Sequence, residues 1–442
     1  MNLKSCGIVI ALVLIMFMSA IETSIVSLAL PTMKVEFNVT SEISLIFAVY
    51  FMAIVIANPI VGELLDRYKI IYITVSGLCL FMLGSLLAGI SQTFIILVLS
   101  RLIQGLGAGV MMALGQIVPK LAFEIPLRYK IMGVIGSVWG ISSIIGPVLG
   151  GAILEFATWH WLFFVNIPIA ILAIILVIVT FNFDNEQTQS KDTDFKGMTL
   201  FYLLIFVFLS AVMSRFAWEI NLTLLFITVI VGYLLFKYEH KIQSPFVPVS
   251  EFNPTIIVIF VTDFIYAMML MGYNLYMPIY LQEQLHLSPL QSGFIIFPIS
   301  IAWLALNFTL GTIEAHFTRK GLYLFAFTML YVCGVLIILG THMPVFIAGS
   351  LLFAGVSFGI VYTKDSVITQ EETDPSYMKR MMSLYTLIKS LGSSIGATLM
   401  GIIYAMEISY VQLHIHNIIY ATFIFLTVLV ILWVSLNQRI KK

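Results

Sequence analysis

The sequence predicts an all-α polytopic membrane protein, and three observations predict it. Of 442 residues, 60% are hydrophobic and only 10% are charged, where a soluble globular domain carries about 25% charged residues. Mean hydropathy is +1.05. The apolar residues come in runs of about 20, the length that crosses a bilayer as a helix.

Fourteen such runs are read: 7–30, 43–62, 70–90, 94–118, 131–154, 161–181, 197–214, 220–236, 255–281, 290–313, 321–340, 345–366, 381–405 and 417–436. The first follows Lys4, is long enough to span and has no A-x-A site after it, so it is expected to be retained rather than cleaved. Short polar connections such as "SQT" (91–93) and "THMP" (341–344) join the runs. The longest polar insert, "FNFDNEQTQSKDTDFK" (181–196), precedes the seventh and eighth runs, and "KYEHKIQSPFVPVSEFNP" (237–254) follows them. The expected organisation is therefore 1–181 as a six-helix bundle, 182–254 as linkers around two additional helices (197–214, 220–236), and 255–442 as a second six-helix bundle with a basic tail.

Basic residues set the expected orientation. With the N-terminus in the cytoplasm, the outer connections hold only Lys34 and Arg215, the runs hold Arg101, Lys364 and Lys389, and the other seventeen of the 22 Lys and Arg residues fall inside. Both termini are then cytoplasmic. Asp plus Glu also number 22, so no basic excess suits nucleic acid. Cys6, Cys79 and Cys333 lie in or beside apolar runs without metal-ligand or disulfide spacing. A weak repeat links "GELLDRYK" (62–69) with "GTIEAHFTRK" (311–320), as in transporters built from duplicated halves.

Four stretches carry the chemistry. "GELLDRYK" joins a turn glycine, Gly62, to an acid–base pair, Asp66 and Arg67. "LVLSRLIQGLGAG" (97–109) puts Arg101 inside a span, with Gln104, Ala108 and Met112 on its face and glycines that admit close neighbours. "GISSIIGPVLGG" (140–151) combines packing glycines with Pro147, which removes a helix hydrogen bond. "IETSIVSLALP" (21–31) places the carboxyl of Glu22 in the first span, where an ionised group costs a few kcal/mol. Glu22 and Arg101 fall at one depth, about 10–12 Å below the outer surface. A pair between them is expected, with a static ion pair as the alternative to a proton site. Burial favours the neutral carboxyl and a guanidinium favours the carboxylate.

A second acid, Asp263, heads a stripe with Tyr266, Leu270, Tyr273, Asn274 and Met277. Aromatic rings, methionines and an acid suit a lipophilic cation. Apolar packing, or a pair between Asp263 and Lys389, are the alternatives. Lys364, Asp365 and Glu314 are read as charges at span ends that reach the surface or a gate.

These stretches resemble the major facilitator superfamily, in particular its fourteen-span drug:proton antiporters, which include efflux pumps of Gram-positive bacteria. Gly62, Leu64, Asp66 and Arg67 match G-x-L-x-D-R-x-G-R-R, with Lys69 where a second glycine is usual. Leu97, Arg101, Gln104, Gly105, Gly107 and Ala108 match a second motif. Gly146, Pro147, Gly150 and Gly151 match the antiporter signature, with Gly140 at a longer spacing. Glu22 stands for Asp in L-D-x-T-I-V-N-V-A-L-P, and "WHWLFFVNIP" (159–168) resembles W-R-W-I-F-x-I-N-V-P.

The resemblance implies a proton-driven exporter of lipophilic or cationic compounds, working as a monomer in the plasma membrane of a bacterium. It implies no cofactor, metal or catalytic residue; the proton gradient is the energy source. Glu22, Arg101 and Asp263 are its expected proton-coupling residues, and Gln104, Met112, Tyr266, Tyr273, Asn274 and Met277 its cavity. Gly62, Asp66 and Arg67 are its expected cytoplasmic gate. The same fold exporting an endogenous metabolite, lipid or peptide is the alternative. A channel or intramembrane enzyme stands behind both: no H-E-x-x-H and no Gly-Lys dipeptide occurs, against zinc-protease and ATP-driven readings.

Overall fold

The structure, a computed structural model, describes residues 3–39, 45–182, 194–213, 218–242, 245–287, 289–314, 316–407 and 413–435. Within them the chain is helical, with no strand. In chain order the helices are α1 (Leu3–Glu36), α2 (Leu45–Arg67), α3 (Ile70–Gly89), α4 (Phe94–Ala122), α5 (Leu127–Phe156), α6 (Trp161–Phe164), α7 (Asn166–Thr180), α8 (Phe195–Met213) and α9 (Trp218–Glu239). They continue with α10 (Pro254–Met271), α11 (Met277–Glu283), α12 (Pro289–Ile296), α13 (Pro298–Glu314), α14 (Arg319–Leu339), α15 (Pro344–Glu372), α16 (Met378–Ala405) and α17 (His414–Ser435). The polar stretch 183–193 and the tail from 436 lie outside the described residues.

Among the described residues, twelve helical segments are long and apolar enough to cross a membrane, and Phe195–Ala211 is a shorter apolar helix. Where described, the fourteen runs lie mostly on helices, three of them interrupted. Capping side chains fix several starts: the Thr93 hydroxyl and the Asn253 carboxamide accept backbone N–H bonds at 3.4 and 2.9 Å.

Prolines break three runs that the sequence reads as continuous. Run 161–181 is split at Val165, three residues before Pro168, and run 290–313 at Phe297, directly before Pro298. Run 255–281 passes through a π-turn at Gly272–Tyr276 before α11. Pro278 has no N–H to bond one turn back, and the widened turn precedes it.

Helix α1 packs on α5 and α7, and α4 on α2 and α3. Later in the chain α15 packs on α13 and α14, and α10 on α16. Helices α8 and α9 pack mainly on each other, and α9 turns Phe226, Val229 and Tyr233 outward. Contacts between the early and late helices run along α2–α16 and α5–α13. Because successive helices alternate in direction, one end of the molecule collects Arg67, Lys120, Arg128, Arg319, Lys379 and Arg380, and is here called the basic end. At the other end the Trp159 indole N–H donates to Glu36 and its ring meets Phe37 edge-on, so the "WHW" stretch clamps α1.

Candidate functional site

Glycines bring the polar groups of the first cluster together. A Cβ on Gly84 of α3 would lie 2.4 Å from the Gln104 backbone nitrogen, and one on Gly105 would lie 2.4 Å from the Tyr50 carbonyl. Helices α3, α4 and α2 therefore meet at backbone distance, and short polar side chains span the gaps. Arg101 Nη1 donates to Glu22 Oε1 and to Gln104 Oε1. Asn166 Nδ2 donates to Glu22 Oε2 at 2.6 Å, and Gln104 Nε2 to Ser85 Oγ at 2.8 Å. The Arg101 guanidinium lies 4.2 Å from the Tyr50 ring centroid, and its Nε donates to the Ile46 carbonyl at 3.3 Å.

Glu22, Arg101, Gln104 and Asn166 have no exposed surface. A buried ion pair is weak evidence for stability, because desolvation rivals the attraction. This one uses both carboxylate oxygens, yet Arg101 Nη2, Asn166 Oδ1 and Tyr50 Oη have no protein partner. The cluster is polarised rather than saturated. Gln104 is committed to it, whereas Met112, eight residues further along α4, is half-buried.

At the basic end the "GELLDRYK" stretch meets the start of α16. Arg380 Nε donates to Asp66 Oδ2 at 2.9 Å and its Nη2 pairs with Glu63 at 2.6 Å. Arg380 Nη1 donates to the Pro245 carbonyl, and Lys379 lies 3.5 Å from Asp66. A Cβ on Gly62 would sit 2.7 Å from the Arg380 Cα. Arg67 turns back along its own helix to Glu63 at 2.8 Å. A second set joins α4 and α5 to the end of α15: Lys120 and Arg128 both bond Glu371, and the Gln370 amide donates to the Gln116 carbonyl at 3.0 Å. In the turn before α16, the Ser376 N–H and hydroxyl hold the exposed Asp374 carboxyl below its ordinary range.

Around Asp263 the packing is aromatic. The Tyr385 hydroxyl donates to Asp263 Oδ1 at 2.8 Å. Tyr266 bonds Ser357 at 3.0 Å and meets Phe358 edge-on, and Tyr273 packs on the same ring. Tyr266, Tyr273 and Met277 have no exposed surface; Asn274, inside the π-turn, is half-buried. Lys389 makes no ion pair with Asp263: its Nζ stands 3.7 Å from the Tyr362 ring centroid. Lys364 pairs with Glu314 at 2.6 Å. Asp365, read from sequence as a span-end charge, is instead fully buried and accepts from the Tyr323 hydroxyl. The reason is that α15 continues to Glu372, six residues past the expected end at 366.

The glycines of α5 serve two faces. Gly133, Gly136 and Gly140 face Asn307, Trp303 and Ser300 of α13, whereas a Cβ on Gly146 would lie 2.5 Å from the Ser24 Cβ of α1. Gly150 is buried, and Gly151 faces open space. The side chain of Pro147 lies outside the described residues. Gly146→Ala is expected to cost about 1–3 kcal/mol by forcing α1 and α5 apart. Gly151→Ala is expected to be neutral or slightly stabilising. Melting of the purified variants in detergent checks the contrast, and equal melting would remove the packing role from Gly146.

Sequence reasoning missed Asn166, Ser85 and Glu63 as site residues and placed Asp365 only among the span-end or gate charges. Asn166 carried a signal as an amide in the otherwise apolar "LFFVNIP", and Glu63 as an acid inside "GELLDRYK". Two G-x-S-x-G strings, Gly355–Gly359 and Gly392–Gly396, sit within α15 and α16. The strand–turn–helix elbow that makes such a serine a nucleophile has no counterpart there.

Comparison with known proteins agrees with this architecture. The sequence pattern of the Major Facilitator Superfamily matches residues 12–397. The chain is 58% identical to the multidrug efflux pump SdrM of Staphylococcus aureus, over 98% of this chain and 97% of that protein. It is 25% identical to multidrug resistance protein 3 of Bacillus subtilis, over 89% of this chain and 78% of that one. The crystal structure of the human organic anion transporter MFSD10 shares the fold, with a TM-score of 0.69 at 14% identity, covering 98% of this chain and all of the other. The family match over residues 12–397 and the efflux-pump relative together show that the chain belongs to the Major Facilitator Superfamily and is a membrane transporter, not an enzyme.

Proposed function

We propose that this transporter is a proton-coupled antiporter that exports lipophilic and cationic drugs and dyes from the cytoplasm. The carrying observation is the fully buried Glu22–Arg101–Asn166 cluster. The length-wise similarity to a multidrug efflux pump supports the choice of cargo. The proposed topology has fourteen spans, as two six-helix bundles and an additional pair, with the basic end in the cytoplasm as the distribution of Lys and Arg favours.

The mechanism follows from charge. While ionised, Glu22 is held by Arg101 and Asn166. A proton arriving from outside neutralises the carboxylate and weakens its grip on Arg101. A neutral carboxyl crosses a low-dielectric interior at far less cost than a charged one. Protonation thereby biases the two-state rocking of the bundles. In this reading the pairs Asp66–Arg380 and Arg128–Glu371, which join early and late helices at the basic end, are the latch of the outward-facing state. Asp263 is the second coupling carboxyl, beside the aromatic wall of Tyr266 and Tyr273.

The test is dye transport in proteoliposomes of the purified protein. Ethidium is expected to move against its gradient when a pH gradient is imposed and to stop when an ionophore collapses it. Uptake indifferent to the ionophore would overturn proton coupling. Absence of transport for a panel of lipophilic cations would favour an endogenous cargo.

A further inference from the structure

We propose that Asp365 is a further proton-carrying carboxyl of this transporter, in a site it shares with Asp263, Lys389 and the tyrosines around them. The inference rests on the proton-coupled reading and adds to it a residue and a site on the opposite side of the molecule from Glu22.

Position comes first. Asp365 lies seven residues before the end of α15 and Asp263 nine residues after the start of α10, so both sit roughly 10–14 Å from the basic end. Glu22 lies 19 residues into α1, roughly 28 Å from the same end. Neighbouring charges on α15 divide: Lys364 reaches outward to the half-exposed Glu314, while Asp365 turns inward and has no exposed surface.

Donor counting comes second. Asp365 Oδ1 accepts from Tyr323 and Asp263 Oδ1 from Tyr385. Oδ2 of both acids and the Tyr362 hydroxyl have no partner. A carboxylate held in its ionised form at this depth would have both oxygens satisfied, as the two oxygens of Glu22 are by Arg101 and Asn166.

Charge is the third argument. Asp263, Asp365 and Lys389 lie within electrostatic reach of one another. The groups facing Asp365 are Tyr323 with Arg319 beyond it on α14, Asp263 on α10, Lys389 on α16, and Lys364 on its own helix, the last already paired with Glu314. Two carboxylates against one available ammonium leave a net negative charge in a water-poor interior. One proton on the acids brings the cluster to neutrality and turns an oxygen without a donor into an O–H donor. The proton comes from solvent and returns to solvent; no other bond changes.

The site also borders the moving seam. Lys389 is half-buried, and the next residue, Ser390, accepts from Asn58 of α2 at 3.4 Å. Tyr385 stands five residues along α16 from Arg380. Helix α16 meets α10 at backbone distance at Gly392 and Gly396, so when α2 and α16 separate the cluster moves as one body, and what changes is the cover beside Lys389 and with it the access of water to the site.

The test uses the full-length protein in liposomes, with ethidium as probe and the membrane potential clamped at zero. Under an imposed gradient of one pH unit, loss of one exchanged proton lowers the steady-state ethidium gradient about tenfold. Asp365→Asn is expected to show that fall and Asp365→Glu to keep the wild-type value. An unchanged gradient in Asp365→Asn overturns the proposal. Infrared difference spectra of the same proteins across a pH titration are independent of any substrate. There Asp365→Asn is expected to remove one pH-dependent carboxyl C=O component, which Asp365→Glu restores at a shifted frequency. Identical wild-type and Asp365→Asn spectra, or a component that ignores pH, overturn it as well. Failure of the Glu22 reading shows separately, as a Glu22→Gln spectrum that keeps every wild-type component.

Discussion

Glu22→Gln is expected to reduce proton-driven ethidium efflux to background in proteoliposomes, while Glu22→Asp retains part of it. Gln is nearly isosteric and its carbonyl can still accept from Arg101 or Asn166, so the fold is preserved. What disappears is the switch between a charged and a neutral side chain. Arg101, with no exposed surface, is then left without a counter-charge, and removing one partner of a buried pair costs about 3–5 kcal/mol. The 4.2 Å contact with the Tyr50 ring is common to both proteins, and at about 2 kcal/mol for a desolvated cation–π contact it helps keep Arg101 in place in the variant. Glu22→Asp keeps the charge but shortens the reach, so it cannot hold Arg101 and Asn166 at once. Its efflux is expected to fall several-fold without losing dependence on the pH gradient. Ethidium binding by the Gln variant in detergent separates coupling from folding: intact binding with no uphill transport is the expected pattern. Gradient-driven efflux by the Gln variant at the wild-type rate would return Glu22 and Arg101 to a static structural pair.

How much of this was legible in the sequence depended on the range over which each interaction acts. Depth along a helix is a local quantity, so the equal depths of Glu22 and Arg101 were readable, and the two residues are bonded. Partner choice across a seam is not local. Asp66 was visible as more than a topological charge, but Lys379 and Arg380 looked like ordinary positive-inside residues. Only the tertiary contact pairs them with Asp66. Proline positions were visible as well, but which would break a helix depended on what the neighbouring helices could absorb. Asp365 was misread for a related reason. The polar run Thr369–Gln370–Glu371–Glu372 holds no apolar residue, so apolar length alone ends the run at 366. In the fold Glu371 and Glu372 pair with Lys120, Arg128 and Arg319, which carries α15 beyond the apolar run and leaves Asp365 a full turn deeper.

Gly62→Ala is expected to open the basic end and disable transport in a correctly inserted protein. The new Cβ would lie 2.7 Å from the Arg380 Cα and 2.9 Å from the Lys379 carbonyl oxygen. Both are backbone atoms, so no rotamer change relieves the overlap and α2 must move away from α16. That motion stretches the Arg380 bonds to Asp66 and Glu63 together. Losing even one buried partner costs about 3–5 kcal/mol, so the closed state loses more than about 100-fold in relative population. The readout is a cysteine at Ser383, which is buried one turn along α16 from Arg380. In a Ser383→Cys background that still transports, maleimide labelling is expected to be slow, and Gly62→Ala is expected to accelerate it at least tenfold while ethidium efflux falls to background. Asp66→Asn, which leaves the backbone contact intact and weakens only the ion pair, is expected to give a smaller acceleration and partial efflux. The order of the two variants separates steric closure from electrostatic closure. Slow labelling with normal efflux in Gly62→Ala would mean that the α2–α16 contact is packing alone, and that the ion pairs between α4, α5 and α15 close the basic end without it.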